Sequence, residues 1–255
     1  NGFREFKDFK IVNKVAESDI ITSFYLQPAD GSGVPTFLPG QYITVRLTIP
    51  GETDLFNRQY SLSQAPNQDT FRISVKKENE MNPNGKVSVF LHETIQIGDT
   101  LEVSAPAGDF YIDMESTRPV TLISGGVGIT PMMSMLDAIA KHSPTRPVAF
   151  LHGARNNALH AFDKDVRKLM ATMEDTTYLA LYSDENLLLT KELLAEHVLS
   201  NSDIYVCGPV PFMKAIIPTL YELGFAEEHV HFEFFGPAVS LEPKKKKKQG
   251  YVNVH

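Results

Sequence analysis

The run Arg58-Gln59-Tyr60-Ser61-Leu62 sets a guanidinium, a flat aromatic ring and a small hydroxyl along what reads as an extended strand. Side chains two apart on a strand share a face, so Arg58 and Tyr60 can address one ligand together. Arg58 would pair with phosphate oxygens, and Tyr60 would lie against an aromatic ring. Ser61 can offer a hydrogen bond to a ring nitrogen. A flavin dinucleotide presents all three groups. Taken alone, the pentapeptide also suits the surface of an ordinary edge strand, so the downstream sequence has to decide.

A second signal runs from Val120 to Pro131, Val-Thr-Leu-Ile-Ser-Gly-Gly-Val-Gly-Ile-Thr-Pro. Val120 to Ile123 reads as a buried parallel strand, the glycines permit close backbone approach to a ligand, and Pro131 suits the first position of a helix. Free N–H groups at that helix start would favour a pyrophosphate. The spacing Gly126-x-Gly128-x-x-Pro131 puts proline where the third glycine of the Rossmann fingerprint stands, so this turn by itself fits a dinucleotide site or a tight connection equally. A third signal, Ile204 to Met213, is a strand ending in Cys207-Gly208-Pro209 that runs into a helix. The fourth is His231-Phe232-Glu233-Phe234-Phe235-Gly236-Pro237.

In this order and spacing the four motifs resemble the ferredoxin reductase-type FAD/NAD(P) module, most closely the reductase part of bacterial flavohemoglobins. The likeness covers nearly the whole chain. It is also carried by Phe37-Leu38-Pro39-Gly40-Gln41-Tyr42-Ile43, Ile73-Ser74-Val75-Lys76-Lys77-Glu78, Gly85-Lys86-Val87-Ser88 with Leu91-His92, and Ala105-Pro106-Ala107-Gly108-Asp109-Phe110. The resemblance implies that Arg58, Gln59 and Ser61 hold FAD, with Tyr60 against the isoalloxazine and Tyr42 supporting it from the next strand. Lys76 and the turn Gly85, Lys86, Val87, Ser88 would approach the FAD diphosphate. Gly126, Val127, Gly128, Ile129, Thr130 and Pro131 would hold the nicotinamide dinucleotide. Cys207, Gly208 and Pro209 would lie near its nicotinamide, Phe234, Phe235, Gly236 and Pro237 would cover the flavin, and Glu233 would tune its redox behaviour or handle a proton. Tyr60, Ser61 and Glu233 are thus the residues expected closest to the chemistry. Many relatives carry Ala-Gly-Val-Gly-Gln-Thr-Pro, whereas Gly125 and Ile129 flank the turn here. Arg155 could meet a 2′-phosphate, yet its neighbourhood also occurs in NADH-using relatives. NADH is the expected donor, with NADPH left open.

Two kinds of segment must position these residues. Residues 1–115 contain short runs, Phe9 to Val15, Ile20 to Leu26, Tyr42 to Leu47, Gln59 to Ser63, Phe71 to Val75 and Leu101 to Val103, separated by Pro, Gly, Asp or Asn turns and one helix at 87–94. They predict an antiparallel, six-stranded FAD-binding barrel. In residues 116–240 strands alternate with helices: strands near 120–124, 148–152, 178–182, 204–207 and 231–234, helices at 131–141, 161–173, 191–199 and 211–223, the last carrying Pro218, which should kink it. That alternation predicts a doubly wound, five-stranded parallel sheet, the NAD(P)-binding α/β domain. The glycine turns at 125 and 208 both close strands, where such sheets bind ligands. Residues 241–255 read as a Lys-rich linker or tail, in which Tyr251 to His255 alternates like the opening strand of a further unit.

Composition narrows the function. Hydrophobic residues make up 42% of the 255 residues, enough for two cores. Lys+Arg 24 against Asp+Glu 31 gives a net charge of -7; without the lysines at 244–248 the balance is 19 against 31, or -12. Nucleic acid is an unsuitable partner for so acidic a body. The single cysteine excludes a disulfide framework and a Cys-ligated iron–sulfur cluster within this segment. No apolar run approaches the ~20 residues of a membrane span and no signal peptide opens the chain, so a cytoplasmic location without membrane insertion is expected. The histidines show no metal-ligand spacing, and Met132, Met133 and Met135 read as core. The expectation is an FAD-dependent NAD(P)H oxidoreductase passing single electrons to a globin haem, as in nitric oxide dioxygenation, or to a 2Fe-2S ferredoxin. The alternatives are a stand-alone flavin or ferric reductase and a non-enzymatic FAD-bearing redox-sensing subunit; the latter's extra cysteine cluster is missing.

Overall fold

A computed structural model of the chain describes residues 5–78, 85–236 and 250–252. Six antiparallel strands come first: β1 (Lys7–Ala16), β2 (Ile21–Pro28), β3 (Tyr42–Thr48), β4 (Leu55–Ser61), β5 (Phe71–Lys76) and β6 (Thr100–Val103). They lie in the order β4-β3-β6-β1-β2-β5. A bridge between Leu62 and Ile73 joins the two outer strands and closes the sheet on itself, removing its open edges. Alternation drives this: Ile43, Val45 and Leu47 on β3 and Ile73 and Val75 on β5 are buried, as a period of two requires. Helix α1 (Lys86–Glu93) buries Val87 and Leu91. Lys14 Nζ donates to the carbonyls of His92 and Ile95 at 2.7 and 2.8 Å, satisfying acceptors that the helix end leaves free.

The second sheet contains β7 (Val120–Gly125), β8 (Val148–Ala154), β9 (Thr176–Tyr182), β10 (Asp203–Pro209) and β11 (Val230–Phe235), interleaved with α2 (Ile129–His142), α3 (Asp163–Met170), α4 (Lys191–His197) and α5 (Val210–Glu222). All pairings are parallel. The order β12-β11-β10-β7-β8-β9, with β12 at Gly250–Val252, reverses direction between β7 and β10, and the crevice above that switch point is where ligands of such sheets bind. Leu122 and Tyr205 pack toward α2 in one core that runs on into the first sheet. Ile123, Leu151 and Val206, one residue later, face Met213, Ile216 and Ile217 of α5 in a second core.

Four expectations are corrected. A sixth strand, β12 (Gly250–Val252), pairs with β11 through Tyr251 opposite Phe234, so this segment adds to the sheet's edge. Residues 241–249 lie outside the described residues. Pro131 is the third residue of α2, not its first, because Gly126–Gly128 forms a 3₁₀ turn leading into the helix; its missing N–H falls in the first turn, where no acceptor exists anyway. Helix α3 starts only after Phe162, whose φ of 67° is left-handed. Helix α5 begins at Val210 and continues through Pro218 to Glu222.

The two sheets are stapled together. Helix α2 reaches across with Ser134 Oγ donating to the Gln64 carbonyl at 2.8 Å and Asp137 accepting from Ala65 N–H at 2.7 Å. The Arg72 guanidinium lies 4.9 Å from the Phe162 ring centre. Buried Arg146 holds the connecting segment through the carbonyls of Arg118 and Asp113 at 2.6 and 2.9 Å. Among the described residues no helix is long and apolar enough to cross a membrane.

Candidate functional site

The strand register sets the site's first wall. Tyr42 of β3 stands opposite Ser61 of β4, and Ile43 opposite Tyr60, so Tyr42 and Ser61 share one face while Arg58 and Tyr60 share the other. Tyr42 is held by a hydrogen bond with Gln59. Its ring lies over Gly108, whose φ is 113° and where a Cβ would stand 2.8 Å from Tyr42 Cε1; glycine is needed there on both counts. Arg58 Nη1 donates to the Asn57 carbonyl at 2.8 Å, while its Nε is buried without a partner. Tyr60 is fully buried, and burial raises its pKa.

The second wall is the carboxyl edge of the parallel sheet. Cys207 and Glu233 are neighbours across β10 and β11 and both are fully buried. Burial pushes the Glu233 pKa well above the ordinary carboxylate value. Burial, and then the charge of Glu233, does the same to the Cys207 thiol. Burial first and Glu233 second raise the Tyr42 pKa, and Phe110, which follows the barrel, packs edge-on against Tyr205 of β10 with ring centres 5.8 Å apart, so this side of the barrel faces the parallel sheet. Phe234 and Phe235 are buried beside them, and Gly236 has a φ of 140°. Pro237 lies outside the described residues.

The glycine turn divides its labour. Gly126, with φ of 56°, faces open space, so its backbone is free to meet a ligand. Gly128 instead packs the helix start onto β10: a Cβ there would stand 2.3 Å from the Cys207 carbonyl oxygen. Val127, Ile129, Thr130 and Pro131 are buried, leaving backbone groups as what this turn can present. A cavity of about 540 Å³ opens beside it, bounded by Gly125, Gly126, Arg155, Ser183, Leu187 to Leu189, Pro209 and Phe212. Sequence reasoning named Arg155 but missed Ser183, the three leucines and Phe212. The left-handed Asn186 that sets the leucines on the rim and the exposure of Leu187 and Leu188 are features of conformation. The sequence offered no signal beyond the Leu-Leu-Leu run.

The diphosphate candidates lie elsewhere on the barrel. Lys76, ending β5, sits 3.6 Å from Glu78, and Lys86 pairs with Glu52 at 2.8 Å. Such part-exposed pairs are weak, so both cations can be recruited by an anion. Gly85 caps α1 without a side-chain bond. Ser88 Oγ donates to the Gly85 carbonyl and accepts from Glu78 N–H, both at 3.0 Å.

Whether these residues suit a polar ligand is tested by their unmet bonds. Among the described residues the buried polar side-chain atoms without a partner are Arg58 Nε, Ser61 Oγ, Arg146 Nη2 and both oxygens of Glu233. A buried polar group left unsatisfied costs roughly 1–3 kcal/mol. All but the Arg146 atom belong to the two facing walls, so donors and acceptors supplied there by a flavin dinucleotide would fit.

Comparison with known proteins agrees with this geometry. Residues 8–112 match the oxidoreductase FAD-binding domain family and residues 122–217 the oxidoreductase NAD-binding domain family. The chain is 49% identical over 255 residues to a flavohemoprotein of Bacillus cereus, covering 94% of this chain and 63% of that protein. It is 41% identical to a flavohemoprotein of Rhizobium meliloti, with the same coverage. The chain thus spans just under two thirds of the length of these relatives. Among solved structures, the flavohem-like FAD/NAD-binding domain of nitric oxide dioxygenase from Vibrio cholerae superposes with a TM-score of 0.84 at 38% identity, covering 92% of this chain and all of that one. Phthalate dioxygenase reductase superposes at 0.74 with 26% identity, covering 91% and 68%. The FAD-binding and NAD-binding halves, their order and the facing walls make one assignment: the chain belongs to the flavohem-like FAD/NAD-binding reductase domains of the oxidoreductases.

Proposed function

We propose that the chain oxidises NADH and delivers single electrons to a haem or 2Fe-2S acceptor carried by another domain or protein. The observation that carries this reading is the set of buried polar atoms without a partner, Arg58 Nε and Ser61 Oγ on the barrel strand and both oxygens of Glu233 beside Cys207 on the parallel sheet. FAD bound there supplies the conversion between a two-electron hydride donor and one-electron acceptors. Everything else is the work of the chain. Arg58 offers its unpartnered Nε, and Lys76 and Lys86 their charge, to phosphate oxygens. Tyr42 gives a flat face to a ring system, with Gln59 fixing its hydroxyl, Ser61 Oγ donates to a ring nitrogen, and Tyr60, buried on the opposite face, supports the strand from the core. Backbone N–H groups from Gly126 to Pro131 receive the dinucleotide's diphosphate. Cys207, Gly208 and Pro209 border the nicotinamide, Phe234 to Gly236 exclude water, and burial raises the Glu233 pKa by disfavouring its carboxylate form.

In this reading residues 1–115 serve FAD, residues 116–240 serve the nicotinamide nucleotide, and the chain works in the cytoplasm. Joined to a haem domain, the module would support nitric oxide dioxygenation. The test is steady-state oxidation of NADH and of NADPH by the FAD-loaded chain with cytochrome c, a plant-type ferredoxin, ferric chelate or free flavin as acceptor. The proposal expects rapid NADH-dependent reduction of the haem or iron–sulfur protein. Turnover restricted to free flavin or ferric chelate would replace it with the stand-alone reductase reading. NADPH preference would overturn the donor assignment.

A further inference from the structure

Three neighbouring strands of the parallel sheet carry a glycine at equivalent depth, at or one residue before their carboxyl ends. Gly125 of β7 is in register with Gly153 of β8. Gly208 of β10 follows the Cys207–Ser124 pair and so lies beside Gly125. Two residues earlier the same face carries Leu151, Ile123 and Val206, all buried against α5; by the period of two the glycines point toward α5 as well. Bulk therefore stops abruptly at the carboxyl edge, leaving a shallow trough across three strands.

One ring fills the trough. A Cβ built on Gly125 would stand 2.8, 2.9 and 3.1 Å from Phe212 Cγ, Cδ2 and Cδ1; one on Gly208 would stand 2.7 Å from Cδ1, and one on Gly153 3.7 Å from Cε2. Phe212 sits in the first turn of α5 and is only partly buried, because its other side borders the 540 Å³ cavity. Gly125 has φ −124° and ψ 129°, an ordinary extended conformation, so backbone freedom does not explain glycine there. Of these positions only Gly126 faces open space. The side-chain-free faces of Gly125 and Gly208 serve the aromatic ring, not a phosphate.

We propose that Phe212 is a positioning residue for the nicotinamide dinucleotide: seated on the glycines of three strand ends, its ring forms the inner wall of the cavity and fixes how deeply the dinucleotide lies against the sheet. This rests on the dinucleotide reading above and names a determinant of that site. A methyl group at position 125 would lift the ring into the cavity and obstruct the ligand. Removing the ring would open the trough beneath the ligand, and the reacting carbon would lose its fixed distance from its target, to which transfer is steeply sensitive.

The experiment is stopped-flow reduction of the FAD-loaded protein over a range of NADH concentrations, for wild type, Phe212→Ala, Phe212→Leu, Gly125→Ala and the Phe212→Ala/Gly125→Ala double variant. Flavin content, and reoxidation after dithionite reduction, should match wild type throughout. Phe212→Ala and Gly125→Ala should each weaken NADH, by raising the half-saturating concentration or lowering the limiting rate, by roughly tenfold. Phe212→Leu should fall between Phe212→Ala and wild type. In the double variant the new methyl has room, so the two losses should fail to multiply. A Phe212→Ala protein that melts earlier yet retains wild-type NADH parameters overturns the proposal, and so does a double variant whose losses multiply. If Gly125→Ala does not fold, the Phe212 pair decides alone. Failure of wild type to be reduced by NADH at all would instead bring down the underlying dinucleotide reading.

Discussion

Asp137, on the helix that begins at the glycine turn, accepts the backbone N–H of Ala65 at 2.7 Å, three residues beyond the Arg58-to-Leu62 strand segment. One helix thus fixes two things at once: its N-terminal end carries the dinucleotide turn, and its middle grips the loop that follows Ser61. Ser134, one turn earlier, adds its bond to the Gln64 carbonyl. The relative placement of the two halves of the site is therefore set by α2.

Cutting that grip should uncouple the halves while sparing each one. Asp137→Ala leaves a poorly solvated N–H without an acceptor, a cost of roughly 1–3 kcal/mol, and each kcal/mol should lower Tm by about 2–4 °C in a chain of this size. FAD retention should persist, and flavin reduction by NADH should slow. Calorimetry and stopped-flow absorbance on the same preparation check both; reduction at the wild-type rate despite a lowered Tm would show that the clamp is only structural.

Glu233 supplies a pH signature. Its folded pKa is raised by burial above the unfolded value near 4.5, so the folded state binds the extra proton. Stability is fully present below the unfolded pKa and falls as pH rises toward the folded one. Glu233→Gln mimics the neutral acid without a titrating proton. The FAD-free variant should gain stability over FAD-free wild type as pH rises from 4.5, with little difference below it. Denaturant melts across that range measure the gap, and parallel curves would refute the buried neutral acid.

His152 acts in the opposite pH range. Fully buried and bonded to Ser124 Oγ at 2.7 Å, with the His160 ring centre 4.7 Å away, it has a pKa lowered by burial to about 3. A depressed histidine contributes stability that is present above the unfolded pKa near 6.5 and is lost as pH falls toward the folded value. At pH 5 the loss attributable to this group is roughly 2 kcal/mol. His152→Gln should flatten the decline in stability between pH 7 and pH 5, as read from urea midpoints; an unchanged slope would assign acid sensitivity elsewhere.

Much of this was legible in the sequence for identifiable reasons. Alternation in Tyr42 to Leu47 and the apolar run Val120 to Ile123 are set by burial on one face or on both, so the strands could be read directly. Ser61, Cys207 and Glu233 were named through the family resemblance, and the register pairs Ser61 with Tyr42 on the barrel and Cys207 with Glu233 on the parallel sheet. What escaped depends on through-space packing. Gly125, Gly126 and Gly128 look alike in the sequence, yet one seats Phe212, one faces open space and one admits the Cys207 carbonyl. Pairing of Tyr251 with Phe234 is likewise a choice among sheet edges that local pattern leaves open. The start of α2 was placed at Pro131, two residues too late, because the 3₁₀ turn that leads into it carries no strong composition signal.

The divided turn gives a contrast within two residues. Gly126→Val, whose side chain would meet open space but whose φ is left-handed, should spare FAD and impair reduction by NADH. Gly128→Val collides with the β10 backbone and should destabilise the whole sheet, by several kcal/mol on the scale of overpacking and strain. Melting curves distinguish the two, and equal destabilisation would remove the assigned division.

Arg58 and Tyr60 bear on flavin retention. Arg58→Ala and Tyr60→Ala should each lower the FAD content of the purified protein, read from the ratio of visible to protein absorbance. The Arg58 variant is the cleaner probe, since Tyr60 is also a core side chain. Undiminished FAD in Arg58→Ala would withdraw its phosphate-binding role.

The central claim, that one crevice holds FAD against a nicotinamide nucleotide, is tested most directly by mixing the FAD-loaded chain with NADH under anaerobic conditions and following the flavin's visible absorbance. The account expects that band to bleach in a single mixing, to saturate with NADH concentration, and to recover when a one-electron acceptor is added. A chain that fails to retain FAD, or whose bound flavin keeps its full visible absorbance in the presence of both NADH and NADPH, would contradict it.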